Sequence, residues 1–241
     1  LLQIPQNYLE EAVHHQFGQK GAADINLKAI AAGRQWATAN LPDLLFPFRV
    51  QANPGGNDGK ILIDGNTAAG IGLVFGGCTV MAWYPITPSS SLVESFIELA
   101  EKYRKNENGE RNYAVVQAED ELGSIAMVVG AGWAGARAAT ATSGPGLSLM
   151  AEAAGLSYYA EIPAVIWDVQ RVGPSTGLPT RTMQGDVKAV ALSHGDTKHV
   201  VLIPGNPAEC FEFGQLAFDL AESLQTLVIV LSDLDIGMNF H

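Results

Sequence analysis

Cysteine is scarce in this chain: two residues in 241, Cys78 and Cys210, with no CxxC spacing and no histidine cluster beside either. Such a chain cannot by itself hold an iron–sulfur cluster or a structural zinc, and no metal site is expected within it. Nothing in the pattern points to disulfides, so a reduced, cytoplasmic setting is expected. Basic residues are scarce too. Fourteen lysines and arginines stand against 25 aspartates and glutamates, a formal net charge of −11. That balance argues against nucleic acid and against anionic membrane surfaces, both of which draw basic faces. It would equally repel an acidic electron carrier, which would have to dock on another subunit. Long apolar runs are missing as well. The uncharged stretch "LGSIAMVVGAGWAGA" after Glu121 falls short of the roughly 20 residues a membrane span needs. No signal peptide, internal repeat or low-complexity tract is visible. The chain opens on Leu1 and is expected to be a piece of something longer.

What is present is apolar bulk in a regular rhythm. Hydrophobic residues make up 47% of the chain, ample for a buried core. Residues 1–59 differ from the rest: a helix is expected over "NLKAIAAGRQWATAN", then "LPDLLFPFRV" and the flexible "QANPGGNDGK" read as a leader or connector. From residue 60 to 241, strands and helices alternate. Strands are expected at "KILID", "VMAWY", "NYAVVQA", "RAATATS", "AVIWDVQ", "HVVLIP" and "LVIVLS", with helices over 66–77, 89–104, 120–135, 146–161 and 207–225 and a short one after residue 185. The strand runs are continuously apolar, as burial on both faces requires. The expected fold is therefore α/β: a doubly wound, mostly parallel sheet with helices on both faces. Ligands in such folds sit beyond the carboxyl ends of the strands, at a topological switch point. That rule selects the loops at 84–91, 117–121, 142–146 and 170–185.

The first loop, "YPITPSSS", places Thr87 between two prolines and follows it with three serines. Ser89 or Ser90 is expected to cap the next helix, a contribution of about 1 kcal/mol. Capping leaves Thr87 unexplained, and a preorganised hydroxyl at a strand end suits a carbonyl or carboxylate. The second loop, "QAEDELGS", carries Glu119, Asp120 and Glu121, any of which could simply complement a helix dipole. Clustered, buried carboxylates repel, so one of the three is expected to hold a proton and to be able to donate it to a ring nitrogen. The helix after Glu121 lacks side-chain bulk, so something is expected to approach it closely. The third loop, "TSGPG", feeds a helix and makes phosphate the generic guess, but the P-loop lysine is absent. The fourth carries Arg171 and Arg181 among Gly, Pro, Ser and Thr, which read as carboxylate binders or as surface ion pairs. His194 reads as a structural hydrogen-bonding residue with a possible substrate role.

Taken in order, "DGNTA" (64–68), "YPITPSS" (84–90), "TSGPG" (142–146) and "DVQRVGPSTGLPT" (168–180) resemble the α subunit of 2-oxoacid:ferredoxin (acceptor) oxidoreductases over roughly residues 60–240. The resemblance implies the pyrimidine-binding domain of a thiamine diphosphate enzyme. In that family a glutamate opens a helix and meets a Gly-Ala-type pair nine positions on. Glu121 to Gly130 fits that spacing, with Glu119 as the competing alignment. Glu121 is thereby implied as the contact to N1′ of the aminopyrimidine, and Thr87 as the threonine that hydrogen-bonds the 2-oxoacid. Arg171 is implied as the arginine facing the substrate carboxylate, with Arg181 near a second one. Pro85, Ile86, Thr142, Ser143 and Gly144 border the cofactor. "TSGPG" then contributes backbone shape rather than a phosphate cradle.

The diphosphate and its Mg²⁺ need a "GDG…N" motif, and this sequence contains no GDG. The resemblance therefore implies a β subunit that supplies metal, diphosphate site and iron–sulfur cluster, with ferredoxin docking through that partner. The implied reaction is oxidative decarboxylation of a 2-oxoacid with coenzyme A taking the acyl group. The "GPSTGLPT" loop leans toward 2-oxoglutarate or a broad range over pyruvate alone. Half of a non-oxidative thiamine decarboxylase or synthase, and a non-catalytic assembly module, remain the alternatives.

Overall fold

The apolar runs become six strands: β1 (Val80–Trp83), β2 (Ala114–Gln117), β3 (Ala138–Thr142), β4 (Ala164–Gln170), β5 (Val200–Leu202) and β6 (Leu227–Asp233). These were located in a computed structural model, which describes residues 4–19, 21–41, 50–193 and 195–241. Among the described residues the strands form one sheet, ordered β2-β1-β3-β4-β6-β5, and every adjacent pair is parallel. β4 and β6, seven residues each, are buried throughout. Alternate residues point to opposite faces of a strand, so a continuous apolar run serves two cores at once.

Those two cores are visible. Val165, Trp167, Val169, Val228 and Val230 pack with α3 (Gly65–Phe75), α4 (Ser90–Tyr103) and α8 (Pro207–Leu224) on one face. Ala164, Ile166, Leu227, Ile229 and Leu231 pack with α5 (Glu121–Trp133), α6 (Gly144–Tyr159) and α7 (Val187–Ala191) on the other. In α4 the buried residues Leu92, Val93, Phe96 and Ala100 recur at helical spacing, which commits that face to the sheet. α3 and α8 approach at a glycine seam: a Cβ on Gly72 would lie 2.3 Å from the carbonyl oxygen of Phe211. α9 (Leu234–Met238), a short helix that the sequence pattern did not mark, follows β6 directly, with Asp233 accepting from the Ile236 amide.

The chain divides into two units, Leu1–Lys60 and Ile61–His241. The first holds α1 (Gln6–Phe17) and α2 (Ala22–Asn40). α2 begins four residues before the expected helix, and α1 was not expected, because Val13 is its only buried residue and so no apolar stripe marks it. Residues 42–49 of the expected connector lie outside the described residues. The expected strand "KILID" does not form. Ile61 and Leu62 are exposed, and the segment makes only a short antiparallel contact, Ile63 with His241 and Asp64 opposite Phe240. Of its apolar residues only Ile63 packs against the core.

Candidate functional site

The chain leaves β1 toward β2 through α4 on one face of the sheet, and leaves β3 toward β4 through α6 on the other. Adjacent strands whose connections diverge open a crevice at their carboxyl ends. The loops beyond β1 and β3, 84–89 and 143, flank that crevice, and the loops beyond β2 and β4 lie to either side.

The turn after Trp83 is organised around one carbonyl. The oxygen of Ile86 accepts from the amides of Ser89 and Ser90 at 2.9 and 3.2 Å and from their hydroxyls at 3.0 and 3.3 Å. The expected side-chain cap of α4 is therefore absent. Ser89 already has helical backbone angles, which turn its hydroxyl back toward Ile86 instead of forward to the helix amides. The brace comes from "DGNTA". Asp64 caps α3 by accepting from the amide and hydroxyl of Thr67, and the buried Asn66 donates to the Pro88 carbonyl and to Ser91 Oγ, both at 2.8 Å. The motif was legible in the sequence, but this cross-link was not. Thr87 is exposed, and its hydroxyl makes no hydrogen bond among the described residues. Pro85 is exposed and Ile86 half-buried beside it.

In the second loop the three acids separate. Glu119 is exposed, Asp120 caps α5 by accepting from the Gly123 amide at 2.6 Å, and Glu121 is buried. Glu121 lies against β3 and α6: a Cβ on Gly146 would be 2.2 Å from Thr142 Oγ1, 2.7 Å from Glu121 Cγ and 3.0 Å from its Oε1. Its carboxylate makes no hydrogen bond among the described residues. The expected close approach to α5 occurs at Gly132, where a Cβ would meet the Pro163 carbonyl at 2.2 Å, whereas Gly130 is open.

"TSGPG" starts α6 two residues earlier than expected, with Pro145 in the first turn. Ser143 precedes the helix, fully buried, and its hydroxyl has no partner among the described residues. Gly144 is covered by the Asp186 carboxylate, with would-be Cβ distances of 2.9 and 3.0 Å to its oxygens. A carboxylate in that position repels phosphate, which removes the generic phosphate reading.

Arg171 is no surface ion-pair residue. Only 6% exposed, it donates from Nη1 to the Thr87 carbonyl at 2.6 Å and from Nη2 to the Thr176 carbonyl at 2.8 Å, leaving Nε buried and unpartnered. Burial lowers its pKa, and the charge of Glu121 opposes that shift, which places the two within electrostatic reach. Arg181 is exposed, and its guanidinium makes no hydrogen bond or ion pair among the described residues. His194 lies outside the described residues. Sequence reasoning passed over two further acids at this end of the sheet, Asp168 and Asp186. The available signal was a charge inside the buried run "AVIWDVQ". Among the described residues no group of three or more His, Cys, Asp or Glu is placed to hold a metal ion, and no helix is long and apolar enough to cross a membrane.

Residues 71–239 match the family described as pyruvate flavodoxin/ferredoxin oxidoreductase, thiamine diP-bdg. The 2-oxoacid:ferredoxin oxidoreductase subunit alpha of Saccharolobus solfataricus is 42% identical over 97% of this chain and 36% of its own length. The 2-oxoglutarate synthase subunit KorA of Archaeoglobus fulgidus is 46% identical over 73% of this chain and 49% of its own. Among solved structures, 2-oxoglutarate:ferredoxin oxidoreductase from Magnetococcus marinus, with 2-oxoglutarate, coenzyme A and succinyl-CoA bound, superposes with a TM-score of 0.82. It is 38% identical, and the match covers 99% of this chain and 40% of that one. The chain thus spans well under half of the first and third of these proteins. The likeness also takes in the first 59 residues, which the motifs alone did not reach.

Proposed function

Because the chain belongs to the pyruvate flavodoxin/ferredoxin oxidoreductase thiamine-diphosphate-binding family, we propose that it is the pyrimidine-binding part of an α-type chain of a 2-oxoacid:ferredoxin (acceptor) oxidoreductase. The whole enzyme oxidatively decarboxylates a 2-oxoacid to acyl-CoA and CO₂. The observation that carries this reading is the convergence at the switch point. A buried carboxylate (Glu121), an exposed hydroxyl between prolines (Thr87) and a buried guanidinium (Arg171) meet at one end of the sheet.

These residues fit the pyrimidine end of the cofactor. Among the described residues, the Glu121 carboxylate makes no hydrogen bond, and Ser143 Oγ and Arg171 Nε are buried polar atoms without one. Thiamine diphosphate, when bound, supplies the carbon nucleophile for attack on the 2-oxo carbon. Glu121 would hold a proton toward N1′ of the aminopyrimidine, and Thr142, Ser143, Gly144, Pro85 and Ile86 would form the walls around it. The hydroxyl of Thr87 donates to the substrate, and the buried guanidinium of Arg171 offsets its carboxylate charge. A β-type partner contributes the diphosphate site, Mg²⁺ and the iron–sulfur cluster, and ferredoxin takes electrons there, since the chain carries no GDG and only two cysteines, both buried. A 2-oxoglutarate preference fits the named relatives, with the exposed Arg181 available to a distal carboxylate.

The test is turnover by the assembled enzyme after Glu121→Gln and, separately, Glu119→Gln. The first is expected to lose about 10²–10⁴-fold in kcat and the second to stay near wild type. Full activity in Glu121→Gln would mean the carboxylate has no part in the chemistry. A partner without cysteine-rich motifs would redirect the reading to a non-oxidative thiamine enzyme.

A further inference from the structure

Two carboxyl groups meet under the "TSGPG" turn, on the α6 and α7 side of the sheet. Asp168 belongs to β4 and is wholly buried. It stands two residues beyond Ile166, so strand alternation turns it to the same face as the α5–α7 core. Neither of its oxygens meets an N–H or O–H donor among the described residues; the group it faces is the carboxyl of Asp186. Asp186 is the residue before α7, and one of its oxygens is buried without a donor while the carboxylate closes over Gly144.

Among the described residues, no basic side chain acts on Asp168. Thr142 of β3 and Leu231 of β6 flank Asp168 in register, and Gly144 of α6 lies against the Asp186 carboxylate. Asp168 is wholly buried, and Asp186 is half-buried with one oxygen shut off from solvent. Two carboxylates side by side in such a place resist being ionised together, and two carboxyl oxygens can bond only through a proton. Burial, and then the charge of Asp186, raise the Asp168 pKa well above the usual carboxylate range. Burial raises that of Asp186 too, partly offset by the neighbouring Asp168.

The position of the pair gives it a task. The segment 171–185 is fastened at its near end by Arg171 on the Thr87 carbonyl. Within it, Val172 donates to the Arg181 carbonyl at 2.9 Å, Leu178 to Val172 at 2.9 Å and Arg181 to Leu178 at 3.1 Å. Its far end is Asp186, whose amide donates to Gln170 Oε1 at 3.0 Å, while Gln170 donates to the Ser232 carbonyl at 3.1 Å. We propose that Asp168 and Asp186 share one proton, and that this bond is the latch that fixes the far end of the segment beneath Gly144. Both ends being held, the segment carries Arg171 and Arg181 in one geometry. Asp168 and Asp186 are positioning residues, acting through the arginines. The latch stands apart from the proposed activity, and only its effect on substrate rests on that reading.

Hydrogen exchange and infrared spectroscopy on the assembled protein test the latch without turnover. Wild type is expected to show a protonated-carboxyl C=O band at neutral pH that is missing in Asp168→Asn. Asp186→Ala is expected to speed exchange of the amides of 172, 178 and 181 roughly tenfold, the equivalent of about one hydrogen bond, with β6 unchanged. Asp186→Asn, whose amide still bonds to Asp168, restores protection. The KM for the 2-oxoacid rises in Asp186→Ala and returns in Asp186→Asn. A missing carboxyl band, or unchanged loop exchange in Asp186→Ala, overturns the latch. A loosened loop with unmoved KM overturns the positioning role. None of these outcomes depends on whether Glu121 acts on the cofactor.

Discussion

Arg171 Nη1 donates to the carbonyl oxygen of Thr87 across 2.6 Å, joining residues 84 positions apart in the chain. The bond ties the loop beyond β4 to the loop beyond β1 through main chain, so the Thr87 hydroxyl is left for other partners. The second Nη holds Thr176 in the same way, and the planar fork sets both directions at once.

Arg171→Lys follows from that geometry. The ammonium keeps the charge but cannot reach both carbonyls in the directions the fork provides. Loss of two charge-assisted bonds is expected to lower kcat/KM for the 2-oxoacid roughly 10²-fold or more, while the amides of 172–181 exchange faster. Steady-state kinetics of the assembled enzyme with exchange data on the same variant check it. Unchanged values in both would show that charge alone is what Arg171 contributes.

The sheet was legible because its strands are buried on both faces and so read as unbroken apolar runs. Turn residues then marked where each run ended. The convergence of Thr87, Glu121 and Arg171 was legible only in part. Loop position followed from the carboxyl-end rule, but the separation of Glu119 from Glu121 depends on which side chain α5 turns inward. Asn66 shows what sequence cannot reach. Its partners Pro88 and Ser91 lie 22 and 25 residues away, and nothing local distinguishes a cross-linking asparagine from a helix-start asparagine. The missed serine cap is a local failure of a different kind. Competition from the Ile86 carbonyl redirects hydroxyls that propensity assigns to the helix. Asp168 was hidden by its own neighbours, since a lone acid inside an otherwise apolar strand says nothing of the side chain that faces it.

Gly146→Ala tests the seat of Glu121. An added methyl would stand 2.2 Å from Thr142 Oγ1 and 2.7 Å from Glu121 Cγ, so both must give way inside a buried seam. Overpacking of this kind costs about 1–3 kcal/mol. The variant should therefore lower Tm and weaken binding of thiamine diphosphate to the assembled enzyme. Gly130→Ala, on the helix that Glu121 opens, is the contrast, because nothing lies within 4 Å of its Cβ position. There the gain in helix propensity is expected to raise stability by about 0.5–1 kcal/mol. Equal effects at the two sites would mean that the packing around Gly146 is not what limits Glu121.

The acid limb of stability should trace to Glu101. Its carboxylate collects Lys105, the Tyr113 hydroxyl at 2.7 Å and Arg111 at 2.9 Å, tying the last turn of α4 to the entry of the edge strand β2. Lys105 first and Tyr113 second pull its pKa from 4.5 down to about 2. A group whose folded value is depressed adds stability that is complete above the unfolded value and disappears as pH falls to the folded one. The Tm difference between wild type and Glu101→Gln should then be constant above pH about 4.5 and close progressively toward pH about 2. The network is partly exposed, so the difference should be modest and should shrink in high salt. Thermal melts across that range decide it. A gap that does not narrow with acid would mean the carboxylate acts through packing, and that its charge has no part in joining α4 to β2.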